Sequence, residues 1–469
     1  MSCFKFHSFL YATALFFVIV VSSNQSTVFL FEHCRHGARS TSKLSADSTD
    51  VFNQTWKGDS ELTNVGLRQH FVLGMHIKSL YTAFIDSLDL FKDVLVLSSN
   101  SNRTIMSAMA QLQGIFYNGS SPTIDNITKE QLVHAVPPFT SKNEALAAES
   151  EKLGLNVFPG SVDVAPPVHI LRTEEKVFQF EKNGGCDPIK QARKLNENKK
   201  EVQDFIFKYN QKYSQPLLKL LRISNKDYFK QLDNIGKVSI ALIANVVEGR
   251  NLTSLLSNSG INQQELLASS YEYYNIYAKH VLSNDDKNEL AKASSSVLMR
   301  QVLSYMQDAI THRNKNVTDD SKAVPKLVLL SGHDSTLVGM QDFLRVAFGM
   351  HVCFPEFASY LLIELKDHVD NNHMYNVSVT FNNNDNEKIE MSFDEFRTKI
   401  EETAWTYEET GYYCKFLYKQ LNVFKPSTII LTMAICIIIV VLVLLKLKHS
   451  FSNSSPTGID SLNNEPLVE

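Results

Sequence analysis

The chain has 469 residues, 44% hydrophobic and 20% charged, which excludes a mainly disordered protein. The balance of 46 Lys plus Arg against 50 Asp plus Glu, a net charge of -4, argues against a nucleic-acid binder, which needs a basic face. Six cysteines are too few for a disulfide-built scaffold, and a mean hydropathy of -0.14 excludes a polytopic membrane protein.

In chain order, Lys5 and His7 lead an apolar run over residues 9–21, followed by Ser22 and Ser23. This reads as a signal peptide over 1–23. Short β-rich runs are expected at 27–32, 93–98, 167–171, 326–331, 360–365 and 375–381. The second and fourth are continuously apolar, as strands buried on both faces are. Thr63 can cap a helix reaching about Tyr81. Val202, Phe205, Ile206, Tyr209 and Tyr213, and again Leu298, Val302, Met306 and Ile310, follow helical spacing. Residues 186–288 show helices and no convincing strand, so they read as a helical cap inserted into an α/β core of residues 24–185 and 289–424. Residues 427–445 carry no charge and span about 28 Å as a helix, enough for one membrane crossing. Lys446, Lys448 and His449 then place the tail, 446–469, in the cytoplasm. The expectation is a single-pass type I membrane protein with residues 24–426 in a lumen (lysosome, endosome or vacuole) or outside the cell. Sequons at Asn53, Asn118, Asn126, Asn251, Asn316 and Asn376 fall in that span. So do Cys34, Cys186, Cys353 and Cys414, in an oxidising compartment where sequence alone does not choose their pairing.

Chemistry concentrates where strands are expected to end. The first run leads into Glu32-His33-Cys34-Arg35-His36-Gly37-Ala38-Arg39. Arginine forks match phosphate oxygens, and glycine lets the backbone approach an anion. The fourth leads into Ser331-Gly332-His333-Asp334 and the second, after a short turn, into Arg103. Loops at the carboxyl edge of parallel strands are where α/β sheets bind ligands.

Together these segments resemble the histidine acid phosphatases, branch 2 of the histidine phosphatase superfamily. The likeness extends to Gly58, Glu61, Leu62, Thr63, Gly66 and Gln69, to Thr104, Met106, Ser107 and Ala108, to Pro167-Val168-His169, and to Pro355, Ala358 and Ser359. It implies a phosphoglycerate-mutase-like mixed sheet flanked by helices. It also implies acid hydrolysis of phosphomonoesters or phosphoproteins, with His36 as nucleophile, Asp334 as proton donor, and Arg35, Arg39, Arg103 and His333 binding phosphate. No cofactor or metal is called for, since the arginines supply the positive charge. The resemblance further implies a Cys186–Cys414 disulfide, with Cys34 and Cys353 left free. Such proteins often dimerise through the core; the sequence leaves that open here. A proline usually stands two residues after the second arginine, where this chain has Thr41, and residues 32–34 are more polar than usual. The anchored layout is similar to the lysosomal subgroup, but the tail lacks a tyrosine-based sorting signal.

Rival readings leave residues unexplained. A cysteine phosphatase built on Cys34 and Arg39 needs five residues between them, and here there are four. A metal-dependent phosphohydrolase needs ligands sharing a helix face, and His70 and His76 are six apart. An inactive receptor-like ectodomain would not need the whole set of site residues. An inositol polyphosphate phosphatase would need extra cations, for which Lys190, Arg193 and Lys194 are the candidates.

Overall fold

The apolar runs become the inner strands of one sheet. The computed structural model describes residues 25–41, 50–117, 123–138, 148, 151–153, 156–159, 166–171, 186–283, 287–315, 324–368, 374–384 and 387–414. The strands are β1 (Gln25–Arg35), β2 (Val94–Ser98), β3 (Thr123–Asn126), β4 (Asn156–Pro159), β5 (Val168–Ile170), β6 (Leu327–Gly332), β7 (Tyr360–His368), β8 (Tyr375–Phe381) and β9 (Ile389–Ser392). Seven of them form a sheet in the order β5-β2-β6-β1-β7-β8-β9. From β5 to β1 the pairs are parallel; from β1 to β9 they are antiparallel. Strands β3 and β4 pair separately.

Helices of eight residues or more are α1 (Asn64–Leu80), α2 (Asn102–Ile115), α3 (Asp187–Asn196), α4 (Lys200–Tyr209), α5 (Leu232–Val247), α6 (Gln263–Ile276), α7 (Glu289–Lys315), α8 (Asp334–Phe348), α9 (Phe393–Thr403) and α10 (Tyr407–Cys414). Side chains alternate along β1, and so does its packing. Phe29 and Phe31 join a cluster with Met299 and Val302 of α7 and Met340 and Phe343 of α8. Leu30 and Cys34 join the opposite cluster, with Leu73 of α1 and Ala108 and Leu112 of α2. Strand β6 is buried throughout, as its unbroken apolar run requires.

Register does the positioning. Arg35 lies opposite Gly332, and Ser98 opposite Ser331, so β1, β2 and β6 end level and their loops emerge side by side. Thr63 caps α1, its side chain accepting from the Gly66 N–H at 3.2 Å. The expected strands are all present; β9 and the β3–β4 pair were not foreseen. Between β5 and β6 the described residues 186–283 are helical, and Phe205, Tyr209, Phe229 and Tyr273 share one apolar cluster with Phe52 and Phe71. A disulfide joins Cys186 to Cys414, while Cys34 and Cys353 are free thiols. The expected signal peptide and membrane span lie outside the described residues. Among the described residues no helix is long and apolar enough to cross a membrane.

Candidate active site

The loop after β1 is stitched in place by main-chain bonds. The Arg35 N–H donates to Ser359 O at 2.8 Å, and the His36 N–H to Gly332 O at 3.0 Å. The His36 carbonyl accepts from Ala358, a residue held at a left-handed φ of 58°. A side-chain carbon on Gly37 would meet the backbone of Gly66 of α1, and one on Gly66 would meet the backbone of Ala38. Only glycine pairs allow that approach. Beyond it, Ala38 N donates to Gln69 Oε1 (2.8 Å) and Gly37 N to Ser107 Oγ (3.1 Å). Where the resembled proteins carry proline nearby, Ser40 and Glu61 exchange bonds: Ser40 N to Glu61 O, and Glu61 N to Ser40 Oγ, both 2.9 Å.

His36 is buried, and its Nδ1 lies 2.8 Å from the Gly37 carbonyl. A carbonyl only accepts, so Nδ1 carries the proton and Nε2 keeps its lone pair. Burial, then the charges of Arg35, Arg103, His333 and Arg39, hold the imidazole well below its ordinary value. It therefore stays neutral in mild acid. His333, at the N-terminus of α8, lies with its ring centre 5.5 Å from that of His36. Arg103 Nη2 donates to His333 Nδ1 at 3.2 Å, which leaves Nε2–H to donate to Ser99 Oγ at 2.8 Å. Burial and the neighbouring Arg103 pull Arg39 down to about 10. Crowded cations of this kind mark a place that an anion would relieve.

Arg35 is buried and its fork is committed. Nη2 pairs with Asp334 Oδ2 at 2.9 Å, Nη1 donates to Pro355 O at 2.8 Å, and the guanidinium lies 4.3 Å from the Phe357 ring centre. Asp334 is 34% exposed. Burial raises its pKa, but Arg35, His333 and Arg39 outweigh it and leave it below the ordinary value. Arg35, His36, Arg39, Arg103, His333 and Asp334 thus fall within one cluster. Sequence reasoning undervalued Arg193 of α3, which feels the charges of Tyr277 and Asp334, and missed Tyr274 of α6, which feels Arg35, Asp334 and Arg39.

Beneath the loop lies a polar chain inside the apolar face of β1. Gln111 of α2 lies 2.5 Å from Glu32 Oε1 and 3.1 Å from His70 Nδ1, and His70 Nε2 lies 3.0 Å from the Arg35 carbonyl. Glu32 is fully buried, and burial lifts its pKa to about 8 against the Gln111 hydrogen bond. Burial lowers His70 to about 4, against its bonds to Gln111 and Arg35. Both groups are therefore neutral near pH 6. The Gln111 amide donates to Glu32 Oε1, the Gln111 carbonyl accepts from the Cys34 thiol at 3.4 Å and faces His70 Nδ1, and His70 Nε2 faces the Arg35 carbonyl.

The rival chemistries fare poorly here. Burial raises the Cys34 thiol well above its ordinary value, so it is no thiolate. His70 and His76 turn to different partners, the latter to the Tyr360 hydroxyl at 3.0 Å.

Known proteins place the same segments in a common frame. Prostatic acid phosphatase from Bos taurus is 23% identical over 333 residues, covering 71% of each chain. Lysosomal acid phosphatase from Rattus norvegicus is 24% identical over 353 residues, 74% of this chain and 69% of that one. The solved phytase of Citrobacter braakii superposes with a TM-score of 0.50 at 12% identity, covering 81% of this chain and 98% of that one, a likeness of fold. The histidine phosphatase superfamily (branch 2) matches residues 33–382, from the end of β1 through all three strand-end segments to the turn after β8, and the chain belongs to that family.

Proposed function

We infer that the chain is an acid phosphatase that hydrolyses phosphate monoesters through a phosphohistidine. The observation that carries this is the Nδ1–H···O=C bond from His36 to Gly37 at 2.8 Å, which presents a neutral Nε2 among Arg35, Arg39, Arg103 and His333. Nε2 attacks phosphorus as the P–O ester bond breaks, and Asp334 gives the departing oxygen its proton. Water then attacks the phosphohistidine, returns a proton to Asp334, and frees phosphate and His36. The arginines hold the equatorial oxygens and offset charge in both steps. Asp334 must be protonated to begin, yet Arg35 holds it ionised in the free site. A bound phosphoryl group resolves this, because its oxygens compete for Arg35 and their negative charge raises Asp334.

The supporting frame is also a proposal. Residues 186–288 act as a cap over the core, residues 1–23 are removed, and residues 427–445 anchor the enzyme with its site lumenal or extracellular. Protease protection of the site-bearing domain in sealed vesicles checks the orientation. The test of the chemistry is a pH–rate profile of the full chain on a generic phosphomonoester, with phosphoenzyme trapping. Acid-labile phosphate on His36, lost in His36→Ala and kept in Cys34→Ser, is expected. Labelling that follows Cys34 instead would overturn the reading. Arg193 near Asp334 gives the polyphosphate alternative its one foothold.

A further inference from the structure

A recess of about 190 Å³ opens beside Arg35. Helix α5 supplies Ile240 and Ile243, and α6 supplies Tyr271 and Tyr274. Phe354 and Phe357 come from the segment before β7. Tyr274 and Phe354 stack with ring centres 4.0 Å apart. The recess adjoins the chemistry: Phe357 lies 6.0 Å, ring to ring, from His36, and Tyr274 feels the charges of Arg35 and Asp334. Asp334 hands a proton to the departing oxygen, so the group attached to that oxygen leaves on Arg35's side.

Among the described lining residues Arg35 is the sole fixed cation, already paired with Asp334, and Glu356 is the sole carboxylate. Glu356 is exposed to the opening. Among the described residues no lysine lines the space. A dry apolar cavity of about 150 Å³ holds a benzene ring, so this one has room for a ring and a linking carbon. Beyond Arg35, a second phosphate on the leaving group would find Gln69 and His134 among walls that are otherwise mostly apolar, and no further fixed cation among the described residues.

We propose that this recess is the leaving-group subsite and that it takes the ester of one apolar, ring-sized alcohol. The assignment rests on the phosphatase reading above and separates it from polyphosphate chemistry. Arg193 is not among the residues lining the recess, and it feels the charge of Asp334.

The test uses the full chain and two esters whose reacting oxygens are alike, benzyl phosphate and ethyl phosphate. The wild type should favour benzyl phosphate in kcat/KM by about tenfold or more, the scale on which apolar pockets discriminate. Adding a sulfonate, as 4-sulfobenzyl phosphate, should cost about tenfold. Equal kcat/KM for benzyl and ethyl esters overturns the subsite. A sulfonate that speeds the reaction, with the gain removed by Arg193→Gln, also overturns it and moves the leaving group toward Arg193. Calorimetric binding of benzylphosphonate against methylphosphonate reads the recess without turnover. If no ester is hydrolysed but benzylphosphonate still binds about tenfold tighter, the catalytic reading has failed and the recess stands. If the two phosphonates bind equally, the recess falls on its own account.

Discussion

Two regions meet at this site and are built on different terms. The phosphate end is main chain first: the level ends of β1, β2 and β6 set where His36, Arg103 and His333 emerge, and N–H to carbonyl bonds lock them. The helical stretch from α3 to α6 offers the site side chains only, Arg193, Ile240, Ile243, Tyr271 and Tyr274. Backbone geometry survives substitution of the residues around it, whereas a wall of side chains changes with each replacement. One region is thus suited to a fixed reaction and the other to a choice of leaving group.

The largest expected effect breaks the phosphate end. His36→Ala should lower kcat by on the order of 10⁴-fold or more, as loss of a nucleophile does, while Ile240→Ala should leave kcat for ethyl phosphate within about threefold. Steady-state kinetics on the purified chain checks both. Asp334→Asn should follow, costing about 10²–10⁴-fold in kcat, the span of general acid catalysis. Its pH signature sharpens the point. The carboxyl must be protonated to act, so rate falls as pH rises, and the alkaline limb of kcat should lie above that of kcat/KM because bound phosphate raises Asp334. Coincident limbs would refute the exchange of Arg35 between Asp334 and substrate.

Next comes the tie between the regions. Replacing Cys186 and Cys414 by serine removes a crosslink across 228 residues and should cost about 2–4 kcal/mol in unfolding free energy, read by denaturant melts. Active-site titration should change little.

The smallest effects probe the polar chain under the loop. Glu32→Gln keeps an acceptor for the Gln111 amide and should hold kcat within about twofold; Glu32→Leu orphans that amide and should destabilise by about 1–3 kcal/mol. Stability against pH carries the sign. Burial lowers His33 to about 3, and His70 and His76 to about 4. Unfolded imidazoles titrate near about 6.5, so the unfolded chain binds more protons below that and stability drops as pH falls from 6.5 toward 4. Glu32 works the other way. Raised from 4.5 to about 8, it contributes fully below 4.5 and loses that contribution as pH rises through 8. Three histidines outweigh one carboxyl below pH 6.5, so melting temperature should peak near 6.5 and fall more gently toward 8. Glu32→Gln should flatten the alkaline side and steepen the acid side above 4.5.

The site was legible where chemistry sits next to strand signals in sequence. Runs such as Leu327–Leu330 announced buried strands, and the residues just after them are those that meet. The edge strand β9, with half-exposed alternation and a charged residue, carried no such signal. Glu32, His70 and Gln111 are separated by up to 79 positions, and each alone reads as an ordinary polar residue. Only the face shared by β1, α1 and α2 makes them one unit. The recess was equally hidden, because apolar residues on α5 and α6 look like core until their neighbours leave a gap.

The Cys186–Cys414 bond has a mechanical meaning as well. Cys414 closes α10, and chain continues beyond it. Any force that arrives along residues 415 onward reaches Cys414 first and passes through sulfur to Cys186, at the head of α3. It is shared there between α10 and the start of the helical stretch instead of peeling α10 away turn by turn. The covalent strap makes the foot of the fold a shear joint, and β1, which carries the His36 loop at its far end, lies off that load path.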